Sequence, residues 1–167
     1  MGYGLICDHD RKPELIALGV FELGKIKDHF VRLRKIFEYT MDLIERFHPD
    51  ELAIESPFYG KNIQSMLKLG RAQGVAISAA LSRDLPIFEY APRKIKMAIT
   101  GEGNASKEQV ATLLEKLLEI KEMPSKLDAT DGLAVAVCHY YQKELIPSNT
   151  PYKNWNDYLK KNPGRLI

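Results

Sequence analysis

Two cysteines in 167 residues, with no Cys-x-x-Cys between them, leave no basis for a disulfide framework or a thiolate zinc site. Cys7 and Cys138 lie far apart in apolar segments and read as reduced core thiols. The four histidines, His9, His29, His48 and His139, are spaced like no metal set and receive no assignment. No apolar run approaches the ~18 residues of a membrane span and the N-terminus has no signal-peptide layout, so the expected location is the cytoplasm, without a membrane partner. A formal charge of +2 is too small to announce a nucleic-acid binder. Any such surface must be made by gathering basic residues on one side. Internal repeats, low-complexity stretches and a dividing linker are also lacking. What is present, 45% hydrophobic and 28% charged residues, suits one globular domain over residues 1–146 with a substantial core, followed by an extension at 147–167.

The chain is organised around Glu51 to Asn62. Leu52, Ala53 and Ile54 form a short apolar run bounded by charge before and Ser-Pro after, which predicts a buried strand. Pro57 cannot donate a ladder hydrogen bond, so the strand stops there and leaves the Glu55 carboxylate at the mouth of the sheet, where open α/β sheets bind ligands. Glu55 also reads as an ordinary strand-end glutamate facing water.

A second acidic cluster, Asp128-Ala-Thr-Asp131, precedes a run from Leu133 to Tyr141 that is too apolar for a surface helix. Two aspartates three apart share one face of that helix start. A capping box, with Asp128 as N-cap and Asp131 in the first turn, accounts for either aspartate separately. It does not account for three carboxylates placed at the ends of two apolar elements. A group of acids held together is costly unless it holds a cation, and an oxygen-only set suits Mg²⁺.

Elsewhere, residues 2 to 7 and 15 to 23 predict a hairpin with polar turn material from Asp8 to Pro13. Phe30, Leu33, Phe37, Met41, Ile44 and Phe47 recur at helical spacing up to His48-Pro49. A long helix from Ile63 to Ser82 carries Gly70-x-x-x-Gly74-x-Ala76, a flat face that another helix can approach closely, within the domain or from a second copy. Leu85 to Tyr90 predicts a strand, Pro92 the first turn of a helix, and Thr100 to Ala105 a loop. Ser106 and Gln109 form a capping box for the next helix. Strands interleaved with helices imply a mixed sheet with helices on both faces.

The segments Ala53-Ile-Glu55-Ser-Pro-Phe58-Tyr-Gly-Lys61-Asn62, Ser65 to Ala76, Tyr90-Ala-Pro-Arg-Lys-Ile-Lys96, Thr100 to Lys107 and Asp128-Ala-Thr-Asp131 closely resemble, in order, the RuvC family of crossover (Holliday) junction endodeoxyribonucleases. The resemblance implies the ribonuclease-H-like fold and a structure-selective endonuclease that makes paired cuts in four-way junction DNA. It implies two Mg²⁺ ions, with Mn²⁺ a substitute, held by Glu55, Asp128 and Asp131. Lys107 matches a lysine beside the scissile phosphate, and Phe58 an aromatic that stacks on a junction base. Lys61, Arg71, Arg93, Lys94, Lys96 and Lys107 are the candidate DNA contacts, and ordinary solvated side chains are the alternative for each. The helix around Gly70 and Gly74 is the implied seam of a homodimer, which would work with a branch-migration complex.

The family also begins with a strand ending in Asp-Pro-Gly, whose aspartate is its first metal ligand. This chain opens on Met1-Gly2-Tyr3-Gly4 instead. The expectation is therefore of a chain that lacks that strand and is impaired in cutting, through a start set downstream or a truncation, or else a degenerate member that binds junctions without cutting; another ribonuclease-H-like nuclease, acting on RNA or on a flap, is the second alternative. Asp8 and Asp10 lie past the following strand and do not replace the ligand by sequence logic.

Overall fold

The computed structural model describes residues 1–57, 62–120 and 127–145. β1 (Gly2–His9) and β2 (Lys12–Val20) pair antiparallel around Asp10 and Arg11, both with positive φ, 50° and 63°. A two-residue turn of that hand matches the right-handed twist of its strands. The hairpin therefore runs further than the polar composition of Asp8 to Pro13 suggests, because His9 and Lys12 still pair. A bulge between Leu5 and Ile6 shifts the register opposite Ile16, which stands half exposed.

β3 (Leu52–Glu55) and β4 (Ile87–Tyr90) pair in parallel, with Glu55 opposite Tyr90. The pairing is mixed, as expected, but it falls into two two-stranded ladders that are not hydrogen-bonded to each other. Period-two alternation sorts the β3–β4 ladder between two layers. Leu52 and Ile87 pack against Ile44, Ala80 and Leu85, on the side of α1 (His29–Phe47) and α2 (Ile63–Leu81). Ala53 and Tyr90 join the larger core made by α3 (Pro92–Thr100), α4 (Lys107–Leu117) and α5 (Leu127–Leu145). Glu55 shares the face of Ala53 by the same alternation, and so turns toward α5.

α5 is the hub, in contact with both ladders and with α3 and α4. Leu133, Val137 and Cys138 are fully buried along it, as its composition requires, whereas Cys7 is only half-buried on β1. Two glycines allow its first turns to lie on the β1 backbone. A Cβ on Gly132 would stand 2.7 Å from Tyr3 Cα, and one on Gly4 2.5 Å from Leu133 Cα. Both distances are closer than real Cβ contacts, so the position of Asp131 depends on the glycine that follows it.

The α1 stripe is not the aromatic one. Ile36, Thr40 and Ile44 are its buried residues, while Phe30 and Phe37 are 74% and 40% exposed. Thr40 can replace an aromatic there because its hydroxyl donates to the Ile36 carbonyl at 2.8 Å, leaving no orphaned polar group. Among the described residues no helix is long and apolar enough to cross a membrane. The extension at 147–167 lies outside the described residues.

Candidate active site

Local chemistry sets each of the elements that meet at Glu55. The ladder continues one bond past Glu55, where Ser56 N–H donates to the Tyr90 carbonyl at 2.9 Å, and ends at Pro57. The Asn62 side chain caps α2 by accepting from Ser65 N–H at 3.1 Å. Pro92 stands at the first turn of α3, where a missing N–H costs nothing. The Ser106–Gln109 capping box is reciprocal, with bonds of 3.2 and 2.7 Å, and it makes Lys107 the first residue of α4. α5 begins at Leu127, so Asp128 is a first-turn residue rather than the N-cap. Its charge is favoured there by the helix dipole.

The site built this way joins β3, α4 and α5. Lys107 Nζ donates to Asp131 Oδ2 at 2.5 Å, and both side chains remain about half exposed. That bond, with the charges of Asp131, Asp128 and Glu55, raises the Lys107 pKa against the opposing effect of partial burial. Glu55 is solvent-accessible on one side. Loss of hydration to the surrounding protein raises its pKa most, the Asp131 charge raises it further, and Lys107 and Lys96 oppose both. Three acids and two lysines from four elements thus lie within electrostatic reach of Glu55 or of Lys107.

The acids are not equivalent. Glu55 and Asp131 repel, whereas Asp128 is exposed and acts on Lys107. Among the described residues no three acids, histidines or cysteines are spaced to hold one ion. The chemistry of the donors nevertheless fits a hard divalent cation: all are carboxylates, and the repulsion between Glu55 and Asp131 is what such a cation relieves.

The basic residues divide. Lys96 reaches Glu55 electrostatically. Arg93 lies along Gly103, where a Cβ would come within 2.6 Å of its Cγ. Lys94 is engaged with Tyr90, its ammonium 5.2 Å from the centre of the ring in a cation–π contact. Arg71 shares a shallow hollow with Pro57, Met66, Leu67 and Gly70 beside the strand end. Phe58 and Lys61 lie outside the described residues. Nothing lies within 4 Å of a Cβ placed on Gly70 or Gly74, so no other part of the described chain packs on that face of α2.

A family model described as "Crossover junction endodeoxyribonuclease RuvC" matches residues 1–139. The chain belongs to the RuvC family. A crossover junction endodeoxyribonuclease RuvC from Christiangramia forsetii is 56% identical over 166 residues, covering 99% of this chain and 86% of the relative. Another, from Cytophaga hutchinsonii, is 57% identical over 166 residues, 99% and 82% of the two chains. A solved structure of Thermus thermophilus RuvC in complex with Holliday junction substrate superposes with a TM-score of 0.75 at 26% identity, over 86% of this chain and 88% of that one. The fold is therefore the ribonuclease-H-like fold of RuvC proteins, and the acid cluster sits in a chain of a nuclease family.

In this RuvC chain the structure also adds residues that sequence reading passed over. The Gln73 side-chain amide donates to the Glu55 main-chain carbonyl from α2, and His139 bonds to Tyr90, the ladder partner of Glu55. A glutamine between the small residues Ala72 and Gly74, next to the glycines that mark a close-approach face, is the available signal for the first. The polar His139 inside the apolar Val137-to-Tyr141 run was the signal for the second.

Proposed function

We propose that this RuvC-family chain cuts four-way junction DNA as paired phosphodiester hydrolyses, with Glu55, Asp128 and Asp131 as its acids and Lys107 as its fixed cation. The observation that carries this reading is the convergence of Glu55, Lys107 and Asp131, three residues distant in sequence, at the end of β3. Mg²⁺, two ions per site and replaceable by Mn²⁺, would be held by the three carboxylates. When bound it supplies charge stabilisation at the phosphate and an activated water. Lys107, anchored on Asp131, is the protein's own positive charge for the scissile phosphate. Glu55, whose proton affinity is raised first by loss of hydration and then by the Asp131 charge, is an acid whose ionised form a cation would favour.

Arg71, Arg93 and Lys96 would contact phosphates without reading bases, together with Lys61, while Phe58 would stack on an unpaired base at the crossover. Lys94, engaged with Tyr90, is the weakest member of that set. A junction has approximate two-fold symmetry and paired cuts are most simply made by a two-fold dimer, for which the open Gly70/Gly74 face of α2 is the seam. Work alongside a branch-migration complex in the cytoplasm completes the reading.

The deciding experiment pairs gel-shift with cleavage for Glu55→Gln and Asp128→Asn on four-way, linear and hybrid duplexes. Both variants should retain junction binding and lose Mg²⁺-dependent cutting. Unchanged cutting by Glu55→Gln sinks the assignment, and a parent chain that binds junctions without cutting them marks a binder instead.

A further inference from the structure

Four side chains outside the acid cluster form a continuous polar chain across the middle of the fold. Lys143 Nζ and His139 Nε2 both donate to Glu51 Oε2 at 2.7 Å, and His139 Nδ1 lies 2.7 Å from the Tyr90 hydroxyl. The His139 and Glu51 side chains are only 13% and 20% exposed. Phe88 covers the imidazole at 4.5 Å, and Lys94 lies on the Tyr90 ring. The chain thus ties α5 to the start of β3 and to the end of β4.

Its protonation is set from one end. Burial pushes the Glu51 carboxyl up, but Lys143 and His139 together outweigh it and hold the pKa below the ordinary value. An ionised Glu51 only accepts, so Nε2 of His139 carries a proton. In the neutral imidazole Nδ1 is then a lone pair, and the Tyr90 hydroxyl donates to it. The ring is held in one tautomer and one orientation, and Tyr90 is held by the ring.

Tyr90 matters because Glu55 is registered on it. The two are ladder partners, and the Tyr90 carbonyl accepts the Ser56 N–H that closes the strand immediately after Glu55. His139 lies on the same helix as Asp131, two turns further on. One side chain therefore connects the element that carries Glu55 with the element that carries Asp131.

We propose that His139 is a positioning residue for junction hydrolysis: oriented by Glu51 and Lys143, it anchors Tyr90 and so fixes the Glu55 end of β3 against the α5 turn that carries Asp131. This rests on Glu55 and Asp131 being the acids of the site. It assigns His139 no contact with DNA or with the reacting phosphate.

Two substitutions divide the imidazole's two bonds. In His139→Asn the amide stands near the Nδ1 position and retains the Tyr90 partner, whereas in His139→Gln it reaches the Nε2 position and retains Glu51. With Tyr90→Phe, they are compared with the parent for single-turnover cleavage of a four-way junction in saturating Mg²⁺, junction affinity by gel-shift, and melting temperature. Loss of a partner that orients a reacting group typically costs about 10–100-fold, and a drop of that size in cleavage rate is expected for Tyr90→Phe and His139→Gln, with junction affinity unchanged. His139→Asn should cut within a few-fold of the parent. If Tyr90→Phe and His139→Gln cut at the parent rate while only the melting temperature falls, the chain is structural and the proposal is overturned. It is equally overturned if Asn and Gln lose activity alike. Glu55→Gln, run alongside, separates the two levels: a dead Glu55→Gln with a fully active Tyr90→Phe removes the positioning role alone, whereas an active Glu55→Gln removes the acid assignment beneath it.

Discussion

Replacing Asp131 with asparagine keeps the shape of the side chain and removes its charge, so it separates what this residue does for stability from what it does for chemistry. On the stability side the loss is the Lys107–Asp131 ion pair, whose side chains are 53% and 40% exposed. Such a pair is screened by solvent and contributes about 0.2–1 kcal/mol despite its short distance. Asp131 also repels Glu55, and asparagine relieves that. The two changes oppose each other, so the net cost stays below about 1 kcal/mol, or a fall of at most roughly 4 °C in melting temperature for a chain of this size.

On the chemical side the expected loss is far larger. An acid that places a metal ion at a phosphate supports several kcal/mol of transition-state stabilisation, and a loss of about 3 kcal/mol is a rate loss of about 100-fold. Asp131→Asn should therefore cut junctions at least about 100-fold more slowly while melting within roughly 4 °C of the parent. The Glu55 carboxyl, read by carbon NMR, should titrate at lower pH than in the parent, because the second-largest cause of its upward shift is gone. The reasoning is refuted if the variant retains its rate, or if it melts far below the parent, which would make Asp131 a structural residue.

Glu55→Gln should stabilise the protein at neutral pH. A carboxyl whose folded pKa is raised costs stability as pH climbs from its ordinary value through the raised one, and costs nothing below, so denaturation midpoints of variant and parent should converge toward pH 4 and separate above it. Gly74→Leu should leave the monomer as stable or up to ~1 kcal/mol more stable, since its Cβ meets open space and leucine favours a helix, while sedimentation shows a weakened dimer. A monomeric parent at micromolar concentration contradicts the seam. Gly132→Ala should cost about 1–3 kcal/mol by thermal melting, because the new methyl meets the Tyr3 backbone and must push α5 away from β1.

Much of this fold was legible because its punctuation is local. Pro57 ends β3, Pro92 opens α3, Asn62 and Ser106 cap α2 and α4, and each acts on its own few residues. For the same reason the local sequence alone puts Glu55 at a strand end and Asp131 at a helix start. What stayed hidden depends on packing. The α1 stripe runs through Thr40 rather than Phe37, since a threonine that bonds its own helix can be buried as readily as an aromatic. The hairpin continued past its polar residues because turn geometry, with Asp10 and Arg11 at positive φ, overrode their composition. His139 and Glu51 stand 88 residues apart, and nothing local in either neighbourhood calls for the other.

The same contrast explains how the site is held. The acids arrive from distant parts of the chain on elements that form locally, and long-range side-chain bonds tie down the strand end that carries Glu55. From one side Gln73 donates to the Glu55 carbonyl, and from the other His139 holds Tyr90, on which the strand end is registered. Gln73 belongs to α2, beside the two glycines whose outward face is uncovered. If a second copy seats on that face, the helix it presses is the one bonded to the Glu55 main chain. Any shift of α2 on its partner then reaches Glu55 through a single hydrogen bond, without passing through the core. On the proposed reading, with α2 as the seam and Glu55 as an acid of the site, that main chain is fixed at two points, one of them on the seam, and assembly of the dimer and geometry of the cut would be set together.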